Sequence, residues 1–309
     1  MGFSESQLEL RAAVRDVLGK ECPPSLVRTC LDDPGAWRPL WQRAVDLGWT
    51  GLALLDDDAG MGVIELVAVL EELGAAAAPI PLLSSAGLAA GALRAAGPAA
   101  AQWQQELAEG AIGALSLDAI PGVLDSGRAD LFVILTGNEL SIARAAIDAD
   151  VEVVLAVSPP AALAVPLTAT AAELVGLAAR VLDITVTHAN TREQFDRVIG
   201  SFQGVKHRLA DCYVAIERAR SLTYGAAMLV TDPVADAEET WRAAALAKAA
   251  ASEAAVETAR AGVHVHGALG MTWEHDVHLY LRRAWQLEPV LGDSAALYRA
   301  AAASLAGAR

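Results

Sequence analysis

Basic residues are scarce in this 309-residue chain: 23 Lys and Arg stand against 38 Asp and Glu, a formal charge of −15. Nucleic acids and anionic membrane surfaces demand clustered cations to displace counterions, so neither is an expected partner. Any anionic ligand must be held by a local patch. Cysteine is nearly absent as well. Cys22, Cys30 and Cys212 are odd in number and lack CxxC spacing, so neither a disulfide framework nor a zinc site is signalled. A reducing cytoplasm is the expected compartment. The opening MGFSESQLEL lacks a basic region and an apolar run, so no secretory signal is expected. Gly2 and Ser6 fit an acylation pattern only in a form loose enough to arise by chance. The uncharged stretch GAAAAPIPLLSSAGLAAGAL (74–93) is long enough to cross a bilayer, but it is mostly Ala and is broken by Pro79, Pro81 and glycines. It reads as a buried turn and helix.

What is present is a composition that is 54% hydrophobic. A chain of this size divides into two or three domains, since single cores stop growing near ~250–300 residues. Residues 1–110 read as helical, with Phe3, Leu8, Leu10, Val14 and Leu18 on one stripe and IELVAVLEELG (64–74) ending on a glycine suited to a left-handed cap. From 111 to 167 the texture is β. ADLFVILTGNELSIA places two apolar runs around Gly137-Asn138, a tight hairpin turn, and VEVVLAV (151–157) is a further strand before Pro159-Pro160. At ~5–6 residues per strand the segment has room for about five short strands, too few to close a roomy barrel. After Pro166 long helices return, with Leu174, Leu177, Val181 and Ile184 on one face and Phe202, Val205, Leu209, Ile216 and Leu222 on the next. Two more helices span 236–263 and 293–306, and short connections make the four an antiparallel bundle. The expected fold is mainly α: an N-terminal helical domain (1–110), a reduced β domain (111–167) and a C-terminal four-helix bundle (168–309).

The segment REQFDRVIGSFQGVKHRLAD (192–211) mixes an Arg, two Gln and two Phe at the mouth of a helix. Free N–H groups at a helix start, with an Arg able to pair two phosphate oxygens, suit a pyrophosphate, and Phe195 and Phe202 could wall a flat heterocycle. The competing reading is a solvated loop whose two Phe are core staples.

This segment resembles the R-x-x-F-G-x-x-I-x-x-F-Q signature of acyl-CoA dehydrogenases. HGALGMTWEHDVHLYLRRA (266–284) resembles their glycine motif and the helix after it, and PLWQRAVDLGWTGLALLDDDAGMG with ELVAVLEELG is similar to their N-terminal pattern. The resemblance implies an FAD shared across a subunit interface. Arg192, Phe195 and Gln203 match the residues that a subunit offers to its neighbour's flavin, with Gln194 and Phe202 at adjoining motif positions. His264, Gly267 and Ala268 match the glycine motif. Two departures stand out: Asp196 replaces the usual Gly after the Phe, and Ala268 replaces the second Gly. Asp tolerates the left-handed region better than most residues, so the first change is survivable.

The catalytic Glu that removes the α-proton in this family falls here on Leu291, before Gly292, and leucine accepts no proton. The alternative placement, VPLTA (165–169), holds no carboxylate either. Glu173, Glu288 and Asp293 are nearby, but a shift of two positions on a helix rotates a side chain away; Asp293 is expected to cap the last helix. The flavin-binding T-E-P-x-x-G-S-D motif has no counterpart in 111–167. The resemblance therefore implies a non-catalytic subunit of a heteromeric, FAD-dependent acyl-CoA dehydrogenase. It would assemble with a full-length homologue as a dimer of heterodimers, as in actinobacterial enzymes that oxidise steroid side chains. The rival readings are a cofactor-free scaffold, a stand-alone enzyme with a relocated base, and a metal site within His264, His266, Glu274, His275, Asp276 and His278. Imidazoles in such a segment more often cap, hydrogen-bond or face water, and no metal is expected.

Overall fold

The computed structural model describes residues 4–54, 62–118, 123–144 and 150–307; Phe3 and the acylation pattern's Gly2 lie outside them. Helix α1 (Glu5–Glu21) opens on a capping box in which Ser4 Oγ accepts from Gln7 N and Gln7 Oε1 accepts from Ser4 N. Helices α2 (Pro24–Asp32), α3 (Arg38–Asp46) and α4 (Val63–Ala76) follow. The left-handed cap of α4 is Ala77 (φ 47), not Gly74. Gly74 lies inside the helix for a different reason: a Cβ there would sit 2.0 Å from the carbonyl oxygen of Glu173 on a neighbouring helix. The uncharged stretch continues as a buried π-helical run, Leu83–Ala90, then α5 (Gly91–Leu93), a 3-10 segment and α6 (Ala101–Ala108). It is interior, as its broken, Ala-rich composition suggests.

Strands β1 (Gly113–Leu117), β2 (Leu131–Thr136), β3 (Glu139–Arg144) and β4 (Val151–Ala156) form one sheet in that order, β1 parallel to β2 and the rest antiparallel. Four strands are described where about five were expected. The β2–β3 hairpin turns on Gly137 and Asn138 as read, with Gly137 at φ 54. Alternation gives the sheet two faces. Leu131, Val133, Leu135, Leu140 and Ile142 join the main core, whereas Ala114, Phe132, Ile134 and Ala143 form a small second cluster with Val123 and Ala129 against it.

Helix α7 (Pro159–Thr191) begins before Pro166, not after it. Pro159 and Pro160 occupy the first helical turn, where a missing N–H costs nothing and the fixed φ favours the helix. Pro166 is carried in the interior of a helix that is buried on several sides. The α7 sequence is long and apolar enough to cross a membrane by length and composition, but 89% of the apolar window is buried within the chain. The short strands β5 (Glu193–Gln194) and β6 (Arg197–Val198) lead into α8 (Gln203–Thr231), α9 (Ala237–His266), α10 (Val277–Leu287) and α11 (Ser294–Gly307). Helix α9 is central, packing against α7, α8, α10 and α11. Its buried alanines, among them Ala245, Ala249, Ala255 and Ala259, let these neighbours approach closely. The four expected bundle helices are α7, α8, α9 and α11, with α10 packed on α9 and α7.

Candidate cofactor half-site

Arg192 is the C-cap of α7, and its carbonyl accepts from Ile199 N at 2.8 Å. That bond closes the β5–β6 hairpin and returns the chain to start α8 beside the end of α7. The guanidinium of Arg192 is exposed and has no ion-pair or hydrogen-bond partner among the described residues. Helix α8 begins at Gln203 with Phe202 as N-cap, no side-chain cap and no acidic residue in its first turn. The first N–H groups are thus left for a ligand or solvent, and the helix dipole favours an anion there.

The turn between β5 and β6 holds Phe195 at φ 55 and Asp196 at φ 60. Two consecutive positive φ values define the tight hairpin turn that glycine and asparagine normally occupy. Asp196 adopts the left-handed conformation anticipated for it. Phe195 adopts it too, which for a bulky side chain is a true outlier. The turn holds that ring 85% exposed, so Phe195 is not a core staple. Phe202 is half-buried, meets Phe195 edge-on with centroids 6.2 Å apart, and has the Arg197 guanidinium 4.0 Å from its centroid. Arg197 was not singled out by sequence reasoning. Its signal is its position as the first residue after the turn. Gln194 and Gln203 are exposed, and Gln194 Nε2 donates to Glu193 O.

Gly267 caps α9 at φ 65, ψ −138, a conformation for glycine. Ala268 is exposed in the following 3-10 turn, Gly267–Met271, and does not have a positive φ, so the alanine is accommodated without backbone strain. Gly270 is the second glycine that this turn requires, since a Cβ there would lie 2.8 Å from Val263 O. His264 is exposed on the last turn of α9, whereas His266 is buried. The His266 ring stacks with His188 of α7 and meets His275, with centroids 4.2 Å away in both cases. Of the candidate metal set, His266 and His275 thus pack ring against ring, while the His278 ring stacks on Trp273. Among the described residues, no group of three or more His, Cys, Asp or Glu is placed to hold a metal ion. Burial is the first cause, and neighbouring imidazoles the second, that hold His188 and His275 below their ordinary pKa.

Leu291, expected at the family's base position, has φ 59 and packs against the main core. Asp293 Oδ1 accepts from Ala296 N at 2.7 Å, the cap expected of it. Glu173 is buried and accepts from Arg283 Nε at 2.7 Å. Glu288 lends its backbone carbonyl, with that of Gly292, to the ammonium of Lys248. Lys248 is fully buried, and burial pushes its pKa down to about 8. Sequence reasoning missed it, although a lone cation within ALAKAAASEAA is its signal. The VPLTA segment is also enclosed: a Cβ on Gly91 would lie 2.7 Å from Val165 Cγ1, and one on Gly87 3.0 Å from Ala169 Cβ. The π-helical run and α7 therefore touch along this line.

Signatures described as the acyl-CoA dehydrogenase N-terminal domain and C-terminal domain match residues 4–111 and 162–306. The chain is 36% identical over 302 residues to acyl-CoA dehydrogenase IpdE2 of Mycobacterium tuberculosis, covering 91% of each protein. It is 34% identical to IpdE2 of Mycolicibacterium smegmatis, covering 94% of this chain and 96% of that one. Among solved structures, the ChsE4-ChsE5 complex from Mycobacterium tuberculosis contains a chain that superposes with a TM-score of 0.82 at 27% identity, over 99% of this chain and 98% of that one. The Tcur3481-Tcur3483 steroid acyl-CoA dehydrogenase variant gives a TM-score of 0.87 at 24% identity, over 98% of both chains. The chain belongs to the acyl-CoA dehydrogenase family.

Proposed function

We propose that this chain is the cofactor-sharing, non-catalytic subunit of a cytoplasmic heteromeric acyl-CoA dehydrogenase. Its partner is a full-length homologue, assembled with it as a dimer of heterodimers, and the substrate is an acyl-CoA such as a steroid side-chain thioester. The observation that carries this reading is the exposed Arg192 guanidinium, without a partner among the described residues, on the hairpin that leads into the uncapped start of α8, with Phe195 held exposed in a strained turn. A diphosphate needs paired donors and a flat ring system needs an exposed aromatic face, and both are built here on one projection. Backbone strain of this kind persists where it serves a site. FAD, when bound, supplies two-electron oxidation. This chain's residues hold and orient it: Arg192 and the α8 N–H groups toward the diphosphate, Phe195 against a ring, and Gln194 and Gln203 as polar contacts. Gly267, Ala268 and His264 are the edge that approaches it from α9.

The partner is proposed to supply the base, because Leu291 has no proton acceptor and Glu173 and Asp293 are otherwise engaged. Two structural neighbours, the ChsE4-ChsE5 complex and the Tcur3481-Tcur3483 steroid acyl-CoA dehydrogenase, are two-component assemblies, which supports a partnered reading. Co-purification with the adjacent-gene homologue tests it through FAD retention. Arg192→Ala removes a charge-assisted contact worth ~1.5–3 kcal/mol, roughly ten- to hundredfold in cofactor affinity, and Arg192→Lys falls between because it keeps the charge but loses the fork. Equal FAD content in all three proteins, with assembly intact, would favour the cofactor-free scaffold.

A further inference from the structure

Helices α7 and α9 both end under the half-site, and imidazoles stack where they meet. His188 lies one turn before Arg192, and His266 is the residue before Gly267. His275 precedes α10 and accepts from Val277 N at 3.2 Å through Nδ1. His266 Nδ1 is 2.7 Å from the carbonyl of Gly262, so it is the donor, and the buried Nε2 has no partner among the described residues. A proton added to His275 Nδ1 would set two N–H groups against each other, so this arrangement suits the neutral ring. Charges reach it from each side: Arg192 at the end of α7, Arg28 from α2, and Asp276 and His278 around the start of α10, with Arg282 acting on His278. Asp276, an acid able to steady an imidazolium, already pairs with Arg28 at 2.5 Å.

We infer that the His188–His266–His275 stack is an acid-sensitive latch, closed while the His188 and His275 rings are neutral, which opens when they are protonated and frees the Arg192 hairpin and the Gly267 turn together. The consequence for cofactor and partner release rests on the half-site reading; the latch itself does not. His188 and His275 are held below the ordinary 6.5. Their contribution is therefore present above pH 6.5 and is lost as pH falls through the folded-state values.

Hydrogen exchange on the full-length chain, at about pH 7.5 and about pH 5.5 and corrected for intrinsic rates, reads this directly. Peptides spanning 186–203 and 262–278 are expected to lose protection together on acidification while α1 does not. The loss steepens toward about tenfold per pH unit for each proton taken up. His188→Tyr/His275→Tyr keeps flat rings that do not titrate in this range, and its two segments should stay equally protected. Unchanged protection in the wild type, or the same loss in the variant, overturns the latch. Exchange at the imidazole C2 positions of the wild type gives an answer independent of any variant: ordinary titration of both His188 and His275 also overturns it. FAD content of the co-purified complex separates the two ideas, because a complex without FAD at every pH removes the half-site and leaves the exchange result standing.

Discussion

Arg283 on α10 donates through Nε to Glu173 on α7 at 2.7 Å, and the carboxylate is almost wholly buried. The pair joins the two helices, α7 and α10, beside which the family's two base placements are expected. A carboxylate engaged this way is poorly placed to accept a substrate proton. Removing either partner strands a buried charge, so Glu173→Gln or Arg283→Met is expected to cost about 3–5 kcal/mol in urea unfolding. Replacing both with apolar residues of similar volume should cost clearly less.

Lys248 donates to two carbonyls of the loop carrying Leu291. At neutral pH, Lys248→Met should destabilise the chain by about 1–3 kcal/mol, since it leaves those carbonyls unpaired. Burial lowers the lysine from 10.5 to about 8, so between these values the unfolded chain keeps a proton that the folded chain has released. Stability of the wild type relative to Lys248→Met should therefore rise with pH across that window, by up to about 3 kcal/mol, and be flat below pH 8. Denaturant unfolding of both proteins from neutral to alkaline pH checks the sign.

Phe195→Gly separates stability from function. Relieving a bulky residue at φ 55 returns roughly 1–2 kcal/mol of backbone strain, partly offset by the entropy of the added glycine. The variant should unfold at the same or a higher temperature while the co-purified complex retains less FAD. A loss of stability with FAD content unchanged would make the ring a structural element.

Leu291→Glu is expected to give no acyl-CoA oxidation by this chain alone. The side chain packs against the core from a left-handed backbone, and the Val165–Ala169 stretch of α7 lies in close contact with Gly87 and Gly91. Single-turnover bleaching of added flavin by short-chain and steroid acyl-CoA thioesters is the measurement, and turnover without a partner would reopen the stand-alone reading.

Local chemistry made much of this protein legible before its fold was known. The Gly137-Asn138 hairpin, the apolar stripe of α7, the cap on Asp293 and the left-handed tolerance of Asp196 depend on neighbours a few residues away. So does the motif that begins at Arg192, one of the three segments that carry the family resemblance. Tertiary packing decided the rest. Gly74 is a point of helix contact with Glu173 and Ala77 is the cap, because the approach of α7 lies a hundred residues downstream in the chain. Pro166 stays inside α7 because burial on several sides holds that helix together, and Phe195 joins Asp196 in the left-handed region because β5 and β6 pair across it. The meeting of His188 with His266 and His275, and of Lys248 with the loop after α10, arises only when α7, α9 and α10 converge. No periodicity along the chain encodes which distant helix ends will meet.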